Sequence, residues 1–310
     1  VELIEHNGSK LKECVEKYIS LWKLSEGFKS WLEKECSFAD TLVDRIVSGY
    51  PKDKADEFCG KFGYEDRLLD TAEPFLFWAI EAPKDKAQVF PADTSGFDVI
   101  FCDDITAYKT RKVRILNGSH TLSVLAAYLA GHDTVYQMMN DPVFAKLIED
   151  TQKNEIIPFI DLPKTEKAEF AASVTQRFRN PFLNHRLLDI SLNSVSKFKA
   201  RCLPSILDYI SEFKSAPDNL CFSLGALLAF YDGQWENGSL YGERNGERYE
   251  IRDDKEVLEF INKSSVEDIL KNKNFWGTDL TEIPDLKEKV LNLYKSIKEY
   301  GVYTTLKRMV

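Results

Sequence analysis

The chain has 310 residues, room for two domains of ordinary size, and 44% hydrophobic with 12% aromatic side chains can bury substantial cores, which excludes intrinsic disorder. A formal charge of −9, from 50 acidic and 41 basic side chains, sets up a field that repels nucleic acid and anionic membranes, so neither is expected as a partner and an anionic ligand would need a local cationic patch. The longest apolar stretches, such as Leu122 to Ala130, fall short of the ~20 residues that span a bilayer, and no signal-peptide pattern opens the chain.

Taken in chain order, Val1 to Asn7 runs from apolar character straight into a polar turn, as though an element had been cut, and a segment upstream is expected. Leu11, Val15, Ile19 and Trp22 then recur three or four apart, the spacing of a helix with one buried face. The stretch from Phe38 to Pro51 ends in the turn signal SGYP. FLFWAIEAP and AQVFPADTSGFDVIFCDDI are rich in β-branched and aromatic residues and read as strands joined by a hairpin-like turn. After Asp104 the period becomes helical through Lys112 to Ala130, Asp141 to Ile157, Lys164 to Phe178, Leu183 to Phe213 and Leu220 to Tyr231. Pro142 after Asp141 suits a capped helix start, and Gly131 stands where a C-terminal cap belongs. YDGQWENGSLYGERNGERYEIRDD reads as a hairpin excursion or a mobile loop, and helices at Asp254 to Asn262, Val266 to Lys271 and Leu286 to Tyr300 follow. The expected class is α+β, mainly α: a mixed α/β portion over residues 1–110 and a large helical domain over 111–310.

Six cysteines, Cys14, Cys36, Cys59, Cys102, Cys202 and Cys221, lie far apart with no C-x-x-C pair, which argues against zinc and redox dithiols and for reduced thiols in a cytoplasmic protein with no metal. The densest polar chemistry is in YKTRKVRILNGSH, where Lys112, Asn117 and His120 fall within nine residues. On an unbroken α-helix His120 would stand at ~80° and Asn117 at ~140° from Lys112. A lysine with a lowered pKa can serve as general base toward a hydroxyl, and an asparagine can stabilise the resulting alkoxide. The spacing leaves open that Lys112 and Arg114 are solvated, that Asn117 caps a helix and that His120 is a satisfied core residue.

KVRILNGSH resembles the signature of the long-chain mannitol dehydrogenase family. That resemblance implies Lys112 as general acid and base, Asn117 as hydrogen-bond donor to the oxyanion and His120 as a contact to substrate oxygens, with no metal. The opening ELIEHNG is similar to the end of the family's nucleotide-binding sheet, so residues 1–110 are expected to be the remnant of a Rossmann-type domain. FADTLVDRIVSGYP resembles a second family motif, which implies that Asp44 lines the junction of nicotinamide and substrate; a surface ion pair of Asp44 with Arg45 is the alternative. RFRNPFLNHRLLDISLNSVSKFKARCLP resembles the family's helical substrate segment and implies sugar contacts from Asn180, His185, Asn193, Lys197 and Arg201. The last three stand four apart, one stripe on a helix, and a solvated basic face would look the same.

LVDRIVSGYP, YLAGHDTVYQMMND and NEIIPFIDLP are more similar to the family branch that reduces tagaturonate to altronate with NADH than to branches acting on fructuronate or mannitol. The substrate class so implied is a small sugar acid and the cofactor NAD(H). No G-x-G occurs anywhere, so the pyrophosphate turn of a dinucleotide site is expected upstream, and this chain alone is expected to be inactive. A helical binding or oligomerisation module without catalysis is the reading from a different class.

Overall fold

Phe77–Glu81 and Asp98–Cys102 are strands, each a short continuous apolar run ending or beginning in an acidic residue. A computed structural model of the chain describes residues 4–309; Val1, Glu2 and Leu3, which begin the expected severed element and the ELIEHNG segment, lie outside them. The chain divides into two compact units, Val1–Thr110 and Arg111–Val310.

In the first unit helices α1 (Asn7–Leu21) and α2 (Glu26–Glu35) precede strands β1 (Asp40–Asp44) and β2 (Val47–Gly49), followed by α3 (Ala55–Phe62), β3 (Thr71–Ala72), β4 (Phe77–Glu81), β5 (Asp98–Cys102) and α4 (Thr106–Arg111). The main sheet has the order β1-β4-β5, and β2 pairs with β3. β4 and β5 run parallel, so the expected hairpin is a crossover instead. Residues 82–97 carry 3₁₀ turns after Pro83 and Pro91 rather than a two-residue reversal, and parallel neighbours require such a long connection. Leu42, Phe77, Ala79 and Ile105 form the core here.

The expected buried face of α1 is corrected. Ile19 is buried, but Leu11 and Trp22 are 57% and 67% exposed. The first turn holds the helix to β1: Asp40 accepts from the Ser9 N–H and hydroxyl, and Asn7 exchanges hydrogen bonds with Thr41. Gly8 permits this approach, since a Cβ there would lie 2.1 Å from the Ala39 carbonyl oxygen.

The second unit is helical. It contains α5 (Gly118–Leu129), α6 (Val135–Asn140), α7 (Pro142–Thr151), α8 (Lys164–Phe178), α9 (Leu187–Ile190), α10 (Ser194–Arg201), α11 (Leu203–Phe213) and α12 (Asp218–Tyr231). A three-stranded meander, β6 (Gln234–Glu236), β7 (Ser239–Arg244) and β8 (Glu247–Ile251), separates these from α13 (Lys255–Lys263), α14 (Val266–Lys271), α15 (Lys273–Trp276), α16 (Leu286–Tyr300) and α17 (Val302–Lys307). α5 and α12 are apolar almost all round and pack on each other at the centre, with α16 against α12, as a helix without a polar face must be enclosed.

Asp141 caps α7 by accepting the Val143 N–H, and Gly131 closes α5 with φ +106°, both as the sequence suggests. The glycine-rich stretch is an ordered meander whose reversals, Asn237-Gly238 and Asn245-Gly246, hold positive φ at both positions. The expected helix over Leu183–Phe213 is broken. Asn193 is left-handed with φ 54°, and Pro204 begins a new helix in the first turn of α11.

We expect Gly8→Ala to destabilise the first unit by about 1–3 kcal/mol, the usual cost of overpacking a close backbone contact. Urea unfolding followed by tryptophan fluorescence would measure it, and an unchanged midpoint would contradict the packing of α1 on β1.

Candidate active site

Between α4 and α5, Lys112–Asn117 is wound as a π-helix, with the Gly118 N–H reaching back to the Val113 carbonyl. Bonding from residue i+5 to residue i sets the sixth residue over the first, so Asn117 stands above Lys112 rather than ~140° round the axis. His120 follows three residues later in α-helix, ~60° from Asn117. The three polar groups therefore fall within a narrower sector of the helix than the ~140° of ordinary α winding.

His120 is buried, stacked on Phe178 at 4.0 Å between ring centroids and meeting the edge of His185 at 5.2 Å. Among the described residues its Nε2 is buried without a hydrogen-bond partner. Burial, and then the charges of His185, Arg201, Arg177 and Lys197, hold its pKa well below the ordinary histidine value, so the imidazole is neutral. A neutral ring with an unpartnered buried nitrogen is an incomplete hydrogen-bonding group.

Around it the structure gathers positive charge. Arg201 on α10 donates to the Thr121 hydroxyl at 3.3 Å, because α10 packs against the start of α5, where a Cβ on Gly118 would lie 3.4 Å from the Arg201 carbonyl. One turn earlier Lys197 donates to the Ile190 carbonyl at 2.9 Å. Burial and the neighbouring Arg201 bring Lys197 down to about 8, opposed by Asp253. The head of α10 is fixed from outside: the Tyr231 hydroxyl accepts the Ser194 N–H and donates to Asp253, whose carboxylate also takes the Val195 N–H.

Lys112, Asn117, His120, His185, Lys197 and Arg201 all lie in the second unit. His120 and His185 are in ring contact, and the positive charge of Lys197 and Arg201 reaches the His120 ring. Asn180 spends its Oδ1 on the Phe182 N–H in an Asx turn. Asn193 is corrected from a helical stripe position to the left-handed residue before α10, so the stripe reduces to Lys197 and Arg201. Asp44 is in the first unit, 1% exposed on β1, and Arg45 donates instead to the Glu73 carbonyl, which rules out the surface ion pair. Arg177, Phe178, Tyr231 and Asp253 escaped sequence reasoning. Arg177 and Phe178 sit within the quoted RFRNP segment, but nothing in their spacing says that they face His120.

A family model described as the mannitol dehydrogenase C-terminal domain matches residues 104–298, and one described as the mannitol dehydrogenase Rossmann domain matches residues 1–93. The chain is similar to the altronate oxidoreductases of Yersinia enterocolitica (41% identical) and Escherichia coli O7:K1 (42%), each over 97% of this chain and 63% of the relative. It thus spans 63% of the length of these curated relatives. Its fold is similar to that of Pseudomonas fluorescens mannitol 2-dehydrogenase in ternary complex with NAD and D-mannitol, with a TM-score of 0.76, 23% identity and coverage of 98% of this chain and 60% of that one. Substrate-free D-sorbitol dehydrogenase gives a TM-score of 0.78 at the same identity and coverage.

Since His120 is neutral when folded but titrates near 6.5 when unfolded, the stability it permits is present above that pH and lost below it. His120→Phe should therefore gain stability relative to the unsubstituted protein as pH falls below about 6.5, by ~1.4 kcal/mol per unit. Parallel denaturation midpoints between pH 8 and 5 would show no divergence if the ring were charged.

Proposed function

The chain belongs to the mannitol dehydrogenase family, and on that premise we propose that it forms the substrate-binding and proton-handling part of an NAD-dependent oxidoreductase interconverting tagaturonate and D-altronate. The observation that carries the proposal is the neutral, buried His120 with an unpartnered Nε2, set among cations and on the same side of the helix as Lys112 and Asn117.

In this reading Lys112 gives a proton to the carbonyl oxygen as it becomes an alkoxide, and takes it back in oxidation. Asn117 donates a hydrogen bond to the same oxygen, where charge develops. The His120 Nε2 meets a substrate hydroxyl, with His185 at the ring edge completing that wall. Lys197 and Arg201 receive the carboxylate, which supports a sugar acid over a neutral polyol. Asn180 retains its amide nitrogen for a hydroxyl, and Asn193 contributes by starting α10.

NAD(H) supplies or removes the hydride when bound. The residues present do not include its pyrophosphate cradle, because no two of the 15 glycines stand two apart, and the proposal assigns that cradle to polypeptide beyond this chain. All six cysteines are free thiols, which suits a cytoplasmic enzyme.

The test is NADH oxidation by the polypeptide that carries this chain together with a nucleotide-binding half, offered tagaturonate, fructuronate and fructose. Tagaturonate should be the preferred substrate, and Lys112→Ala should lower kcat by ~10²–10⁴; preference for fructuronate or fructose would move the assignment within the family, and no turnover would leave a binding module. The KM for the keto acid should rise as pH passes about 8, where Lys197 loses its charge. Lys197→Met should raise KM at neutral pH and flatten that rise, and a profile that stayed steep would remove Lys197 from the carboxylate site.

A further inference from the structure

α10 starts without a cap of its own. Asn193 precedes it in the left-handed conformation and its side chain accepts none of the N–H groups of the helix, although the first of these have no partner within any helix. Other elements satisfy them here. The Asn193 N–H donates to the Arg252 carbonyl at 3.1 Å, the Ser194 N–H to the Tyr231 hydroxyl at 3.2 Å and the Val195 N–H to Asp253 Oδ2 at 3.4 Å. Burial, and then Asp253, push the Tyr231 phenol well above the ordinary tyrosine value, so it keeps its proton and donates it to the same Asp253 oxygen. Asp253 Oδ1 takes the Asp254 N–H, so both carboxylate oxygens are engaged.

Lys197 closes the first turn of α10, its N–H bonded to the Asn193 carbonyl. Its side chain leans toward the start of the helix, as helical side chains do, and reaches the Ile190 carbonyl ahead of that turn at 2.9 Å. The ammonium thus lies at the end of α10 that Tyr231 and Asp253 hold. Among the groups around α10, Arg114 is paired with Asp208 of α11 and Asp189 with Arg252, burial keeps His120 and His185 neutral, and Lys112, Lys273 and Arg201 are themselves cations. Asp253 is the negative group whose charge reaches Lys197. We infer that Tyr231 and Asp253 are positioning residues for the cations that take the substrate carboxylate: the Tyr231 hydroxyl fixes the first turn of α10, and Asp253 both bonds that turn and supplies the counter-charge of the Lys197 ammonium. The inference rests on Lys197 and Arg201 receiving the carboxylate, as proposed above.

Two substitutions separate the bonds from the charge. Asp253→Asn keeps an amide oxygen that can accept from Val195 and Tyr231, and removes the charge. Tyr231→Phe keeps the charge and removes the hydroxyl, which leaves the Ser194 N–H buried without its acceptor. Tyr249→Phe is the control. Tyr249, 5% exposed, donates its hydroxyl to the Phe230 carbonyl at 2.9 Å, so this variant loses a buried bond beside Tyr231 without removing any bond to α10.

The experiment compares the three variants in the polypeptide that carries this chain and a nucleotide-binding half. It reads kcat and KM for the keto acid as a function of pH, the thermal midpoint, and the pH midpoint of Lys197 acetylation by acetic anhydride, located by mass spectrometry. Asp253→Asn should move both the rise in KM and the acetylation midpoint to lower pH than in the unsubstituted protein, where Lys197 titrates at about 8. Tyr231→Phe should raise KM about tenfold at neutral pH with kcat changed by less than about twofold. Tyr249→Phe should lower the thermal midpoint and leave KM unchanged. An acetylation midpoint that stays in place in Asp253→Asn, an unchanged KM in Tyr231→Phe, or an equal rise of KM in Tyr249→Phe overturns the inference. Absence of turnover in the unsubstituted polypeptide overturns the functional reading and the substrate half with it; acetylation then decides the role of Asp253 toward Lys197, a lower midpoint in Asp253→Asn for it and an unchanged one against it.

Discussion

A helix enclosed on every side can present polar chemistry only near its ends, and α5 is such a helix, buried from Gly118 to Tyr128. The polar groups of the site accordingly crowd its first turns and the π-turn before it: Lys112, Asn117, His120 and Thr121. Enclosure also sets their electrical character. A buried ring stacked on Phe178 cannot keep a proton beside several cations, so His120 is neutral and can engage a neighbour only by hydrogen bonding.

The cations come from neighbours of α5 rather than from α5 itself. Arg177 lies at the end of α8, and Lys197 and Arg201 lie on α10. Burial disfavours the charge of both Lys197 and Arg201 and lowers both, and the neighbouring Arg201 lowers Lys197 further. A chain of net charge −9 thus carries a local cluster of buried cations, against its global charge.

Most helices of the second unit were legible because an apolar stripe of period 3.6 is a strong signal, and the caps at Asp141 and Gly131 marked their ends. Other features were hidden for identifiable reasons. An inserted residue in a π-turn leaves the apolar pattern of KVRILN almost unchanged, yet it alters which side Lys112 faces. The break at Asn193 depends on Tyr231 and Asp253, which are remote in sequence. Parallel pairing of β4 and β5 is a matter of direction, to which alternation is blind. The two Asn-Gly reversals were visible in ENGS and RNGE, and a stricter use of turn chemistry would have found the meander. Of the site, the residue types and their chain positions could be read, but not the partners that place them.

The meander has a consequence for how the protein is made. Arg244 on β7 lies over the Tyr128 ring and donates to the carbonyls of Tyr128 and His132, where α5 ends, across a sequence separation of 116 residues from Tyr128. Tyr231 and Asp253 reach back to α10 in the same way. A ribosome adding ~5–20 residues per second therefore finishes α5 several seconds before the side chains that fasten its far end exist. During that interval an almost wholly apolar helix waits without α12 and the meander that complete its enclosure, so the last third of the chain, which supplies none of the residues assigned to substrate, sets the moment at which α5 can be fully buried.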